Sequence, residues 1–241
     1  MRIAIVSDIH GNLTALEAVI ADLRTQAPDL VLQGGDLPYG GCHAAEVIDR
    51  VAELGWPGVM GNTDEVLWNS EGLRRMMAEA PKLGPLLKII EECAVATKNL
   101  IGESRLKLLQ ALPTQIRQDN LVLVHAAPAD MWKAPMDPLD DAALENVYGP
   151  LGAATVVYGH IHRPFIRQLS KFTVCNSGSV GMPYDGDSRA SYLLVTDGRA
   201  EIRRVEYDVE REVRSLLTST YPHKEWFAEV RRRGAYVPPS L

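Results

Sequence analysis

Side chains that bind divalent metals recur along the chain in short polar clusters, each following an apolar run. They are Asp8-Ile9-His10, Gly35-Asp36, Gly61-Asn62, His125 and Gly159-His160-Ile161-His162. Imidazole, carboxylate and amide oxygen together suit borderline ions such as Mn, Fe, Zn, Co or Ni, and suit magnesium alone poorly. In extended backbone, residues i and i+2 face the same way, so Asp8 with His10, and His160 with His162, can each aim two ligands at one point. Each residue also has a plainer reading: Asp8 and Asn62 as helix caps, Asp36 as a turn residue, His125 as a hydrogen-bonded core histidine. The joint pattern outweighs them, because four of only six histidines fall at strand ends beside both aspartates.

These clusters need strands to carry them. Residues 2–7 form a short apolar, β-branched run that reads as a buried strand. Asn12 to Gln26 places Leu13, Leu16, Ala18, Val19, Ile20 and Leu23 at mostly helical spacing with Asn12 as cap, and Asp29–Gly34 reads as a second strand. The strand–helix–strand order makes the two strands parallel neighbours. A helix over about Ala44–Leu54 and a short strand at Gly58–Met60 follow. Helical signals run from Glu65 to about Leu112, with breaks near Gly72, Pro81, Gly84-Pro85 and Gly102; we place this helical excursion at about 65–118. Strand signals return at Leu121–His125, Thr155–Tyr158, Phe172–Cys175, Tyr192–Thr196 and Ala200–Tyr207, with Asp197-Gly198 as a hairpin turn. A C-terminal helical extension spans about 208–237, with Arg231-Arg232-Arg233 as a solvated charge run, and the tail Pro238–Leu241 reads as frayed. In an open α/β sheet, ligands bind outside the carboxyl ends of the strands, so the five polar clusters converge.

The composition is that of an ordinary globular protein: 241 residues, 46% hydrophobic and 23% charged, with a net charge of -6. That charge argues against a broad nucleic-acid or acidic-membrane surface. Cys42, Cys93 and Cys175 lie far apart in no CxxC pattern and read as buried, reduced thiols. Asp8 and His10 interrupt the N-terminal apolar run before a signal sequence could form, and no apolar stretch reaches membrane-spanning length. A cytoplasmic protein is expected. The sequence carries no signal for an oligomeric state.

Asp-x-His-Gly-Asn, Gly-Asp, Gly-Asn, an isolated His and Gly-His-x-His, in that order, resemble the motif set of the calcineurin-like metallophosphoesterases. The stretches Asp8-Ile-His-Gly-Asn-Leu-Thr-Ala-Leu-Glu and Asn176-Ser-Gly-Ser-Val-Gly-Met-Pro resemble the small bacterial and archaeal phosphodiesterase branch, and the resemblance runs to about residue 207. It implies an α/β fold of two mixed β-sheets packed as a sandwich flanked by helices, a four-layer αββα single domain over 1–241. It also implies two divalent metal ions, the first held by Asp8, His10 and His162, the second by Asn62, His125 and His160, with Asp36 bridging. Such a pair, about 3.5–4 Å apart, supports in-line attack on phosphorus by a bridging hydroxide, so Asp36, Asn62 and His125 act catalytically through the metals. Two ions, less two carboxylates and a hydroxide, leave about one positive charge facing a phosphodiester's single negative charge.

One position departs from the family pattern. Many members carry Gly-Asn-His, where this chain has Gly61-Asn62-Thr63. Threonine is a poor proton donor at pH 7, and general acid catalysis is typically worth ~10²–10⁴-fold. A chain without it handles activated esters, such as nitrophenyl or cyclic nucleotide substrates, better than simple alkyl esters. Candidate substrate contacts are Asn12, Tyr39, Thr63, Trp132 and Arg163. A small phosphoester is therefore the expected partner, with manganese among the candidate metals. The alternatives are a phosphomonoesterase or protein phosphatase with the same metal site, and a non-catalytic interaction scaffold, as in the retromer subunit of this superfamily.

Overall fold

The computed structural model describes residues 1–239, so the last two residues of the expected frayed tail lie outside it. The N-terminal apolar run forms β1 (Arg2–Val6), followed by α1 (Leu13–Gln26) and β2 (Leu30–Gln33). β1 and β2 pair in parallel, with Val6 opposite Gln33. The chain continues through α2 (Ala44–Glu53), α3 (Asn62–Glu65), α4 (Glu71–Glu79) and α5 (Gly84–Gln110). A second sheet is then built from β3 (Gln115–Gln118), β4 (Leu121–Val124), β5 (Thr155–Tyr158), β6 (Phe165–Gln168) and β7 (Thr173–Asn176), with α6 (Asp141–Tyr148) between β4 and β5. The hairpin β8 (Ala190–Thr196) and β9 (Arg199–Val205) returns to the first sheet, and α7 (Val209–Thr218) and α8 (Lys224–Arg233) follow.

Both sheets are mixed, with strand orders β2-β1-β8-β9 and β3-β4-β5-β7-β6. Strand alternation assigns their faces. Ile3 and Ile5 of β1 meet Leu121 and Leu123 of β4 between the sheets, while Ala4 and Val6 face the outer helices α1 and α2. On the other side, Val122 and Val124 pack with Leu144 and Tyr148 of α6. The result is the expected four-layer sandwich. Among the described residues, no helix is long and apolar enough to cross a membrane.

Several local expectations need correction. Residues 58–60 form no strand beyond a single parallel bridge between Gly58 and Gln33. Helical structure ends at Gln110, and residues 115–118 are β3 rather than the end of the excursion. The break expected near Gly72 falls at residues 66–70, between α3 and α4; Gly72 itself is the second residue of α4, where a side chain would collide with the Trp132 indole. β3 and β6 carry no apolar run because they are edge strands, half exposed in strict alternation. Arg231 is fully buried, whereas Cys42 is partly exposed; Cys93 and Cys175 are buried, and all three thiols are free.

Candidate metal centre

Five chain segments deliver the polar clusters to one place. Asp8 and His10 follow β1, Asp36 follows β2, Asn62 opens α3, His125 follows β4, and His160 and His162 follow β5. Among the described residues, nine non-glycine positions adopt positive φ, and five of them are Asp8, His10, Asp36, His160 and His162, at φ 52 to 63. That left-handed backbone is unfavourable for side chains with a Cβ and persists only where the surroundings enforce it. Here it turns successive side chains inward from the strand ends. Glycines permit the close approach: a Cβ at Gly61 would collide with the Asp36 carboxylate, and one at Gly159 with that of Asp8.

Three of the four imidazoles are oriented by a backbone carbonyl at Nδ1. Nδ1 of His10 donates to Tyr39 O at 2.9 Å, Nδ1 of His125 to Gly34 O at 2.8 Å, and Nδ1 of His162 to Met182 O at 2.6 Å. A neutral ring with its proton on Nδ1 presents a bare lone pair at Nε2. Those lone pairs face other acceptors. Nε2 of His162 lies 3.1 Å from Nε2 of His10 and 3.1 Å from Asp8 Oδ1. Asn62 Oδ1 lies 2.9 Å from both His125 Nε2 and His160 Nδ1. Asp36 spans the two groups, with Oδ2 3.7 Å from His10 Nε2 and Oδ1 3.5 Å from His125 Nε2.

Ligands bound at about 2.0–2.2 Å around one ion lie roughly 3–3.5 Å apart, which the closest of these separations match. The carbonyls that fix the far nitrogens of His10, His125 and His162 are the usual outer support of metal-binding histidines. The donor set therefore fits divalent metal. Asp8, His10, Asp36 and His162 form one compact group, with one donor atom from each within 4.8 Å of the others.

Charge in this buried space is balanced locally. Burial pushes the Asp8 carboxyl up, but His162, His125 and His10 outweigh it and hold it below the ordinary carboxylate range. Burial, then the neighbouring His162, holds His10 well below a normal imidazole, and burial with His125 brings His160 down to about 3. The neutral rings are the forms that can coordinate.

Asp64 organises the floor from beneath. Its Oδ2 accepts from Asp36 N and Gly61 N, both at 2.9 Å, and its Oδ1 from Leu37 N at 3.0 Å. One carboxylate thus ties the loop bearing Asp36 to the turn bearing Asn62. Burial, then Asp36, pushes its own carboxyl up to about 7. Ser179 has a parallel role, its hydroxyl donating to Asp8 O at 2.7 Å. Arg231 donates to His10 O at 3.0 Å and Gly40 O at 2.9 Å, clamping α8 to the ligand loops. Within the basic triplet, the clue to its burial is its position one turn after Phe227, on the buried face of α8.

The family model described as the calcineurin-like phosphoesterase superfamily domain matches residues 1–198. The chain belongs to the calcineurin-like phosphoesterase superfamily. Protein MJ0912 of Methanocaldococcus jannaschii is 29% identical over 94% of this chain and 96% of its own length. A protein of Synechococcus sp. named "Probable cyclic nucleotide phosphodiesterase" is 28% identical over 77% of this chain and 82% of its own. Among solved structures, a metallophosphoesterase from Sphaerobacter thermophilus is 25% identical with a TM-score of 0.79, covering 98% of this chain and 100% of that one.

Five of the seven donor residues, His10, Asp36, Asn62, His160 and His162, line a cavity of about 340 Å³. Tyr39, Thr63 and Arg163, three of the candidate substrate contacts, also line it. Thr63 Oγ1 is buried without a hydrogen-bond partner. Two other candidates are placed elsewhere. Asn12 is fully buried, its Oδ1 capping α1 through Ala15 N and its Nδ2 donating to Gly181 O at 3.1 Å. Trp132 packs in the outer-helix core over Gly72, with its indole N–H donating to Glu65 Oε2 at 2.8 Å. The sequence reading missed the cavity's apolar wall: Leu83, Leu86 and Ile90 near or in α5, Met136, and the aromatic pair Tyr184 and Tyr236. The Tyr184 ring stacks on His162, with centroids 4.3 Å apart.

Proposed function

We propose that this chain is a binuclear-metal-dependent phosphodiesterase acting on small, activated diesters. The carrying observation is the position of Asp36, whose two oxygens face opposite donor groups, His10 on one side and His125 on the other. Asp8, His10 and His162 would hold one ion and Asn62, His125 and His160 the other, with Asp36 shared. When bound, a pair of divalent ions makes water a nucleophile near neutral pH and neutralises phosphoryl oxygens.

The chain's own residues orient the ester. Arg163 lies at the cavity rim beside His162, exposed, where it can meet a single phosphate charge. Thr63 supplies a hydroxyl that can hydrogen-bond a phosphoryl or leaving oxygen, but it supplies no acid. Activated leaving groups are favoured for that reason. The apolar wall suits an ester substituent with carbon surface, and a diester presents two such substituents to a monoester's one. The Synechococcus relative's name supports this reading and makes cyclic nucleotides one substrate group to assay. Manganese is a suitable ion for such N and O donors, and the three free thiols suit a cytoplasmic setting.

A scaffold has no need of seven gathered donors. The test is release of nitrophenol from bis-nitrophenyl phosphate and from nitrophenyl phosphate by manganese-loaded protein. A kcat/KM at least tenfold higher for the diester supports the proposal; equal rates favour the monoesterase, and silence with every metal favours the scaffold.

A further inference from the structure

A second group of metal-capable side chains lies outside this centre. Cys42 and His43 precede α2, and Glu212 projects from α7; one ligand atom from each lies within 4.8 Å of the other two. His43 Nδ1 is 3.6 Å from Cys42 Sγ and 3.6 Å from Glu212 Oε2. Metal bonds of about 2.3 Å to sulfur and about 2.0–2.2 Å to nitrogen and oxygen, at tetrahedral angles, put S and N roughly 3.5 Å apart and N and O roughly 3.4 Å apart. The spacing is that of ligands around a common ion. It exceeds the usual length of a hydrogen bond between His43 and Glu212.

Glu212 supplies an independent sign. Its side chain is fully buried, and a buried carboxylate is costly unless paired. Oε2 accepts from Thr14 Oγ1 at 2.8 Å, while Oε1 is buried with no hydrogen-bond partner. Among the described residues, the only cationic atom within 4 Å of the carboxylate is His43 Nδ1, and the imidazole is charged only when protonated. Cys42 and His43 are partly exposed, which leaves an approach for an ion and a position for solvent.

We propose that Cys42, His43 and Glu212 form a separate site for a thiophilic divalent ion of the zinc type, with a water as fourth ligand. Thiolate, imidazole and carboxylate are a zinc-suited set, whereas the centre at Asp36 offers only nitrogen and oxygen. Its place in the fold gives it a use. Glu212 lies beyond residues 1–198, so an ion here would staple the C-terminal extension to the loop that follows Asp36. His43 and Cys42 must shed their protons to bind an ion, so protons compete with the metal and occupancy rises with pH.

The test titrates chelator-treated, full-length protein with Co²⁺ at pH 8. A near-ultraviolet thiolate-to-cobalt band reports Cys42, because neither Cys93 nor Cys175 belongs to a group of three metal-capable side chains among the described residues. The expected result is a band that saturates at one equivalent for this site, is displaced by Zn²⁺ and is absent from Cys42→Ser, which also retains one zinc fewer per chain. Labelling of Cys42 in the unmutated protein by a thiol reagent is expected to slow at least tenfold when Zn²⁺ is added. No band at saturating Co²⁺, the same band in Cys42→Ser, or labelling indifferent to Zn²⁺ overturns the proposal, whatever the phosphodiesterase assays show.

Discussion

The floor and the wall of the cavity are built on different principles. The floor belongs to the cluster of seven donors, set at the ends of strands and at the start of α3; His10, Asp36, Asn62, His160 and His162 line the cavity, and several loops of the cluster are tied by buried hydrogen bonds. The wall comes from α5, the loop bearing Met136, and segments near the C-terminus; Leu83, Met136 and Tyr236 keep 40%, 58% and 38% of their surface exposed. Trp226, Phe227 and Tyr236 lie beyond the family-matched residues 1–198, while every floor donor lies within them. The floor can therefore specify the reaction while the wall specifies what is attached to the phosphate.

The largest effect is expected at the floor. Asp36→Asn removes a charge shared by both donor groups, and diester hydrolysis should fall by roughly 10³-fold or more, about 4 kcal/mol of barrier, while circular dichroism and melting stay near those of the parent. Chelation should give a comparable loss, reversed by added manganese. Asp64→Asn leaves every donor in place but loses one of the oxygens that collect Asp36 N, Gly61 N and Leu37 N. Metal affinity should drop about 10–100-fold, measured by competition with a chelating dye.

Much of the floor was legible in the sequence, because metal chemistry needs particular side chains and those stand at visible strand ends. Its outer support was less legible. Asp64 has the spacing of a helix-capping residue, and Arg231 is hidden in a basic triplet that reads as solvated although one member is fully buried. The wall left almost no trace, since Leu, Met and Tyr at those positions carry only apolar surface. Trp132, a candidate substrate contact in the sequence, belongs instead to the outer-helix core. Edge strands β3 and β6 escaped for a related physical reason: one exposed face dilutes the apolar signal.

Two smaller effects sharpen the comparison. Thr63→His should raise kcat on esters with poor leaving groups by about tenfold or more, and change nitrophenyl esters little, if a missing acid limits the reaction. A flat or falling rate on poor leaving groups removes that explanation. At the wall, Tyr236→Ala should lower the kcat/KM ratio of naphthyl to methyl nitrophenyl phosphate by about threefold to tenfold, the worth of roughly 1 kcal/mol of apolar contact. Holding nitrophenol as the common leaving group keeps this ratio a measure of the wall alone.

The central claim is that Asp36 stands between two ions. Anomalous scattering at the manganese edge from manganese-loaded crystals tests it most directly. Two peaks flanking the Asp36 carboxylate, about 3.5–4 Å apart, are the predicted result. A single peak at saturating manganese, or none within reach of Asp36, would contradict it.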